Sequence, residues 1–187
     1  SGVTLSDGTV LTAAQTCWWV GGTTSGARYN ESLTNAVYPD AVSVSPRQTS
    51  AQQAASINAG DFILSAENGV ARVVYDINSL AAFTNDITEP YRKNRVMRTL
   101  NQIANDIFIQ FTANYIGVVD NTDAGRMQMK AAVVGLLTDI QANNGIQNFA
   151  ASDVTVSAGA AIDAVVIALA VQPVDSAEKI YMTVSVS

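Results

Sequence analysis

The 187-residue sequence contains no histidine and only one cysteine. Without histidine the chain cannot form a Ser-His-Asp or Cys-His nucleophile system, or a zinc site that uses histidine. A serine–lysine arrangement could draw only on Lys93, Lys130 and Lys179. The single cysteine, Cys17, excludes an internal disulfide, so the fold does not depend on an oxidising compartment.

Positive charge is also scarce. Ten Lys and Arg residues stand against sixteen Asp and Glu residues, which gives a net charge of −6. A surface that binds nucleic acid needs an excess of basic residues, so the sequence predicts no nucleic-acid partner. No apolar run reaches the roughly 18 to 20 residues that cross a bilayer, which predicts no membrane insertion. With 48% hydrophobic residues, the chain can bury the core of one or two domains.

Turn residues divide the first third of the chain. The pattern predicts one helix over residues 9–20, ended by Gly21, and a second helix within residues 47–60. A hairpin is predicted next, because two β-rich stretches flank Asn68 and Gly69, and this pair favours the positive φ angles of a type I′ turn.

Three consecutive residues in the first predicted helix, Cys17, Trp18 and Trp19, attract attention. A reactive thiol or a binding platform is one interpretation of them. An apolar helix face in the core explains the same residues without any special chemistry, and we adopt it as the prediction.

Two long helices are predicted in the second half. From Tyr91 to about Ile116 the apolar residues recur at helical spacing, which indicates one buried stripe. A second helix is predicted over residues 123–142, closed by Gly145. A polar break, VVDNTDAG, separates the two helices, and its spacing does not match a calcium loop.

Strand patterns follow these helices. Residues 161–173 (AIDAVVIALAVQP) are nearly all apolar, which predicts a central strand buried on both faces and stopped by Pro173. Residues 180–186 alternate apolar and polar side chains, the period-2 pattern of a strand with one buried face. The second half is therefore predicted as α+β, with two long helices packed on a small mixed sheet.

The terminal strand pattern leaves its partner open. A strand at this position has backbone donors and acceptors along an edge, and proteins usually cover such edges. The strand could close the sheet of its own chain, or it could pair with a second subunit. Both can hold together.

A basic cluster begins the first long helix. It consists of Arg92, Lys93, Arg95 and Arg98. The helix dipole disfavours cations at this end by roughly 0.3 to 1 kcal/mol each. The cluster could be a solvated face beside carboxylates such as Asp86 and Glu89. Alternatively, it could be a surface for which a partner supplies acidic groups.

Three segments of the second half resemble the tail sheath proteins of contractile phages and related phage-tail-like particles. They are KNRVMRTLNQIANDI (93–107), YIGVVDNTDAGRMQMKAAVVGLLTDIQANNGIQNF (115–149) and AVQPVDSAEKIYMTVSV (170–186). The hairpin segment 66–84 fits the stretch that precedes them in that family. The resemblance is collinear over residues 62–187 and looser over residues 1–61.

The resemblance implies a domain organisation. Residues 1–84 would be the end of a middle domain with an α/β, subtilisin-like fold and no catalytic role. Residues 85–187 would be the sheath C-terminal domain, ending in an intersubunit strand or arm. Family members have a substantial region before this stretch, so the chain is either a fragment or an unusually short member.

The resemblance also implies a structural function without enzymatic activity, cofactor or metal. Family members stack as hexameric rings around an inner tail tube and contract. The implied partners are other copies of the chain, the inner tail tube protein, and baseplate and tail terminator proteins. The implied location is the tail of a virion, or a released tail-like particle, assembled in the bacterial host cytoplasm. Phage tail and tail-like bacteriocin stay open. A type VI secretion sheath fits less well, because such sheaths are usually divided over two chains.

The predicted subunit interface combines the terminal strand with the basic cluster. Its residues are Lys179, Ile180, Tyr181, Met182, Thr183, Val184, Ser185, Val186, Arg92, Lys93, Arg95 and Arg98. Two other functions stay open at this point. A carboxylate-dependent, glycosidase-like hydrolase would need a deep pocket with two acidic residues roughly 5 to 10 Å apart. A monomeric binding module would pair its terminal strand fully within its own sheet.

Overall fold

The computed structural model describes residues 1–185 and has mixed helix and strand content. The helices are α1 (Ala13–Gly26), α2 (Ser50–Asn58), α3 (Asn94–Asn114) and α4 (Asp123–Ala142). The strands are β1 (Gly2–Leu5), β2 (Val10–Leu11), β3 (Ala41–Ser45), β4 (Leu64–Glu67), β5 (Val70–Val73), β6 (Ile146–Gln147), β7 (Val154–Ala158), β8 (Val165–Leu169) and β9 (Gln172–Pro173). Short 3-10 turns occupy Glu89–Arg92 and Ala151–Asp153. This content confirms the predicted α+β class. None of the described helices is long and apolar enough to cross a membrane.

The chain divides into two compact units. The first comprises Ser1–Arg95 together with the segment from Asp175 onward, and the second comprises Val96–Val174. In the first unit, β1 lies between β2 and β3, and β4 pairs with β5, always in the antiparallel sense. The core of this unit gathers residues from both sheets and the loop before β3, namely Val3, Tyr38, Ala41, Leu64, Ala71 and Val73.

The predicted hairpin is confirmed. Asn68 and Gly69 connect β4 to β5 with φ angles of 52° and 74°, the positive values that a type I′ turn requires at both central positions. The edge of β5 that faces away from β4 is covered by the loop before β3. The amide of Asn35 donates to the Val73 carbonyl at 2.8 Å, and the amide of Tyr38 donates to the Ala71 carbonyl at 2.9 Å. This pairing fixes the position of the loop before β3, which contains Ser32 and Thr34.

The bounds of α1 differ from the prediction at both ends. The helix begins at Ala13 because Thr12 and Gln15 form a capping box, and residues 10–11 form strand β2 instead. It continues past Gly21 to Gly26. A glycine inside a helix costs only about 1 kcal/mol relative to alanine, so Gly21 does not force a stop.

The prediction that Cys17, Trp18 and Trp19 form a core face was wrong for two of the three residues. Cys17 is exposed, and 85% of the accessible surface of Trp18 remains exposed. Trp19 does pack on the core, with its ring centroid 4.4 Å from that of Tyr38. Successive residues of a helix point in different directions, so three in a row cannot all face one core.

In the second unit, α4 has the predicted bounds. Thr122 caps it by accepting a hydrogen bond from the Gly125 amide at 3.2 Å. Its buried side is formed by Gly125, Met129, Val133, Leu137 and Ile140. Strand β7, which contacts α4, begins with the buried Val154.

The prediction of a central strand over residues 161–173 was wrong. Strand β8 pairs with β7 in an antiparallel hairpin, and Val166 in β8 is 52% exposed. Strands β6 and β9 are likewise antiparallel, so the sheet elements of this unit are antiparallel rather than mixed. For β7 and β8 the cause is the short connection over residues 159–164, because a parallel pairing would need a crossover of a dozen or more residues.

Candidate functional site

The terminal segment does not form a strand within the described residues. Residues 180–185 lie outside every described strand, and the apolar side chains of Ile180, Met182 and Val184 are 77–84% exposed. Tyr181, on the opposite side of the pattern, is exposed as well. The predicted burial of one face is therefore absent over residues 180–185. Val186 lies outside the described residues.

The exposed segment starts directly after a buried carboxylate, that of Glu178. Its side chain is only 4% exposed and forms an ion pair with Lys93, whose side chain is 14% exposed. The other carboxylate oxygen, Oε1, accepts hydrogen bonds from three hydroxyl groups. These come from Ser32 at 3.0 Å, Thr34 at 2.6 Å and Ser176 at 3.0 Å. Both oxygens of this buried carboxylate are thus paired, which is what burial of a charge requires.

The loop around Thr34 is itself held in place by a buried residue, Asp76. The Asp76 carboxylate accepts hydrogen bonds from the Leu33 amide at 2.9 Å and from the side-chain amide of Asn94 at 2.8 Å. The backbone amide of Asp76 donates to the Thr34 hydroxyl oxygen at 2.9 Å. That hydroxyl accepts one bond and donates the other, so its proton is directed at Glu178.

The ammonium group of Lys93 has further partners in the same unit. It lies 3.1 Å from the carboxylate of Asp175 and 3.8 Å from the centre of the Tyr75 ring. The ammonium of Lys179 lies over the same ring at 5.6 Å. A cation over an aromatic ring is attracted by the negative quadrupole of the ring, so both ammonium groups gain from Tyr75. The cluster thus holds three basic or aromatic groups and two carboxylates.

The pKa values of the ion pair are displaced in opposite directions. Burial alone would lower the pKa of Lys93, but its contacts with Glu178, Tyr75 and Asp175 outweigh burial and raise this pKa above the ordinary lysine value. Burial alone would raise the pKa of Glu178, but hydrogen bonds from Lys93, Thr34 and Ser32 lower it below the ordinary glutamate value. Both groups are therefore charged near neutral pH.

The structure separates the members of the predicted basic cluster. Arg92 is buried, and its backbone carbonyl accepts a hydrogen bond from the Asn78 amide at 2.9 Å. Lys93 forms ion pairs with Asp175 and Glu178, while Arg95 and Arg98 are half-buried on α3. The expected carboxylate neighbours, Asp86 and Glu89, are not the ion-pair partners of Lys93. Its partners come from the C-terminal segment.

Sequence reasoning missed most residues of this site. Ser32, Thr34, Tyr75, Asp175 and Glu178 carry no local signal, because their meeting depends on contacts between segments far apart in the chain.

The surroundings of Glu178 do not suit a carboxylate-dependent hydrolase. A groove of about 920 Å³ opens beside Glu178, but the carboxylate of Glu178 is neutralised by Lys93 and occupied by hydroxyl donors. A general acid or base must be available to a substrate. Among residues 1–185, no group of three or more acidic, cysteine or histidine side chains could hold a metal ion.

Comparison with known proteins gives a consistent result over the whole chain. Residues 86–187 match the model of the phage tail sheath C-terminal domain, and residues 1–79 match that of the phage tail sheath protein central domain. The crystal structure of the sheath tail protein from Desulfitobacterium hafniense is 44% identical, with a TM-score of 0.85 over 97% of this chain. The phage-like element PBSX protein XkdK of Bacillus subtilis (strain 168) is 33% identical over 195 residues, which include 100% of this chain.

A more distant similarity concerns the fold alone. The helical sheath of the anti-feeding prophage in its contracted state is 18% identical, with a TM-score of 0.72 over 98% of this chain. The chain spans 42% of the length of XkdK, 43% of the Desulfitobacterium protein and 53% of the anti-feeding prophage sheath chain. The similarity therefore covers the chain fully but its relatives only in part.

Proposed function

The chain belongs to the phage tail sheath family, and on that premise we propose how it works. It is a structural tail sheath subunit rather than an enzyme. We propose that it assembles into hexameric rings around an inner tail tube, and that the rings contract by rigid-body rearrangement to drive the tube through the target envelope. The match of sheath domain models to residues 1–79 and 86–187 is the observation that carries this proposal.

The proposal extends to domains, partners and place of assembly. Residues 1–84 would be the end of a middle domain with a subtilisin-like fold, and residues 85–187 the C-terminal domain. The partners would be other copies, the inner tail tube protein, and baseplate and tail terminator proteins. The sheath would be assembled in the bacterial host cytoplasm and would function in a virion tail or a released tail-like particle.

The exposed terminal segment would link subunits by strand addition. Residues 180–185 expose their side chains on both sides, although their alternating pattern is typical of a strand with one buried face. A strand that finds no sheet in its own unit can add to the edge of another sheet, where main-chain hydrogen bonds supply affinity. We propose that Lys179–Val186 of one copy pairs with another copy.

Strand β8 offers a suitable edge for this pairing. The Gly159 amide donates to the Ala164 carbonyl at 2.8 Å, and the Ala170 amide donates to the Asp153 carbonyl at 2.9 Å. Hydrogen-bonded and non-hydrogen-bonded pairs alternate between these two contacts along an antiparallel ladder. The backbone groups of Val165, Ile167 and Leu169 therefore point away from β7. Among the described residues, no strand pairs with that side of β8.

A second contact is proposed at the basic cluster of Arg92, Lys93, Arg95 and Arg98. Each exposed charge pair contributes only about 0.2 to 1 kcal/mol, but identical pairs repeat along a tube. Arg95→Glu and Arg98→Glu reverse two charges of the cluster and leave the ion pair between Lys93 and Glu178 in place. The double variant should shift the denaturant concentration at which assembled sheaths contract, and an unchanged threshold would remove the cluster from the interface.

The central test is negative-stain electron microscopy of the full chain, with and without residues 180–187, in the presence of an inner tube as template. Tubes or stacked rings that form with the full chain and disappear on truncation support a sheath joined by its terminal strand. Tubes that persist without residues 180–187 would overturn the strand-addition step. Small particles in every sample, even with the template, would overturn the assembly proposal.

A further inference from the structure

The transition from buried to exposed chain at Glu178 is abrupt. The Glu178 side chain is 4% exposed and has four partners, whereas Ile180, two residues later, is exposed and outside any strand. Between them, Lys179 is exposed at its side chain and only approaches the Tyr75 ring. The polypeptide is thus attached to its own unit at Glu178, and from Ile180 its described side chains are exposed.

The partners of Glu178 come from separate parts of the first unit. Ser32 and Thr34 belong to the loop before β3, and Lys93 precedes α3. Hydrogen bonds to an ionised acceptor are roughly twice as strong as neutral ones. A carboxylate that receives three hydroxyl groups and one ammonium group is a strong attachment point, whereas residues 179–185, the part of the following segment that the structure describes, make no comparable contact.

We propose that Glu178 is the positioning residue of the C-terminal arm, because its paired carboxylate fixes the point at which the chain leaves its own subunit. The inference rests on the proposed function, since it assumes that the segment after Glu178 is donated to another copy. Residues up to Glu178 stay with their own first unit during assembly, and only residues from Lys179 onward change partner.

A fixed starting point has a definite consequence for association. A strand that is attached to its subunit by a short tether explores a smaller volume than a strand on a longer tether. It therefore loses less conformational entropy when it pairs with another subunit. Release of Glu178 would lengthen the free tether back toward Asp175 and weaken association. The hydrogen bonds and the ion pair of Glu178 would therefore strengthen association between subunits, although none of these contacts is made to the partner subunit.

Lysine acylation by an N-hydroxysuccinimide ester, followed by mass spectrometry of the full chain, tests the anchor directly. Lys93 should react slowly and the exposed Lys179 quickly. Glu178→Gln should raise the rate at Lys93 by about tenfold, because it removes the charged partner. Thr34→Val, which removes one hydroxyl donor, should raise it by about threefold. The matched control is Glu67→Gln, at an exposed glutamate of the same unit, and should leave the rate unchanged. Far-UV circular dichroism confirms that each variant is folded.

Equal Lys93 rates in wild type, Glu178→Gln and Thr34→Val would overturn the anchor. So would a Lys93 rate that rises when wild-type chains assemble, because the root of the arm would then have been released. The expected result on assembly is protection of Lys179 with no change at Lys93. The two proposals can fail separately. If truncation of residues 180–187 leaves tube formation unchanged, strand addition is overturned. The acylation rates of Lys93 in unassembled chains test only the attachment of Glu178.

Discussion

The hydroxyl of Thr34 donates a hydrogen bond of 2.6 Å to the carboxylate of Glu178, across 144 residues of sequence. The same hydroxyl accepts a hydrogen bond from the Asp76 amide, which leaves its proton free for Glu178. Three segments of the first unit are thereby joined at one oxygen atom. The C-terminal segment is thereby attached to the loop before β3 through a buried carboxylate.

Removing the charge of Glu178 should destabilise the chain. Glu178→Gln keeps the shape and one acceptor but leaves Lys93 without its closest partner, so the free energy of unfolding should fall by about 2 kcal/mol. Thr34→Val should lower it by about 1 kcal/mol. Urea unfolding measures both. Glu67→Gln, an exposed glutamate of the same unit, serves as control and should change stability by less than about 0.5 kcal/mol.

The contribution of this ion pair should depend on pH in a defined direction. The pKa of Glu178 is lowered in the folded chain, so its stabilisation is present above the ordinary value of 4.5 and is lost as the pH falls through the folded-state pKa. The pKa of Lys93 is raised, so its stabilisation is present below 10.5 and is lost as the pH rises through the folded-state pKa. Asp175, Lys179 and Tyr75 are the other titratable groups that face the pair.

The measurement is the difference in unfolding free energy between wild type and Glu178→Gln. It should stay constant between about pH 5 and pH 10 and shrink toward zero when the pH falls well below 4.5. A difference of the same size at about pH 3 and about pH 7 would contradict the assigned ion pair.

Local chemistry explains which elements could be predicted from the sequence. The hairpin at Asn68 and Gly69 and the bounds of α4 follow from residues next to each other in the chain, through turn conformation and capping. The attachment of Glu178 to Thr34 and Lys93 depends on the tertiary fold, and no short-range pattern indicates it. The alternation over residues 180–185 predicted a strand, but these residues form none in the described chain, and an alternating pattern cannot reveal whether a sheet partner lies within reach.

The two adjacent tryptophans should respond very differently to truncation. Trp19→Ala should lower the free energy of unfolding by about 2 kcal/mol, because the indole packs on Tyr38 and the core. Trp18→Ala should change it by less than about 0.5 kcal/mol, since Trp18 is 85% exposed. Thermal unfolding of the two variants provides the comparison. Equal losses would mean that α1 presents a different face to the core.

Two glycines of the first unit form a matched pair for backbone conformation. An added Cβ would have open space at both Gly69 and Gly21, so contacts do not distinguish them. Gly69 has a φ of 74°, where an L-residue is strained, and Gly69→Ala should lower stability by about 1 kcal/mol. Gly21 lies within α1, and Gly21→Ala should raise stability by roughly 0.5 to 1 kcal/mol. Opposite shifts of the melting temperature are expected, and shifts of the same sign would contradict the turn assignment.

A proline in the terminal segment separates its role in assembly from any role in folding. Residues 180–185 belong to no strand of their own chain, so Met182→Pro should leave the free energy of unfolding unchanged within about 0.5 kcal/mol. In a strand added to β8 of another copy, proline removes a backbone donor and disturbs pairing. The variant should therefore form far fewer tubes in negative-stain images at equal protein concentration.

Met182→Ala is the matched control for the same position. It shortens the side chain but keeps the backbone donor, so it should assemble better than Met182→Pro. If both variants assemble equally poorly, the methionine side chain carries the contact and main-chain pairing does not. If both assemble like wild type, residue 182 lies outside the intersubunit strand, and the donated segment must be sought elsewhere in the chain.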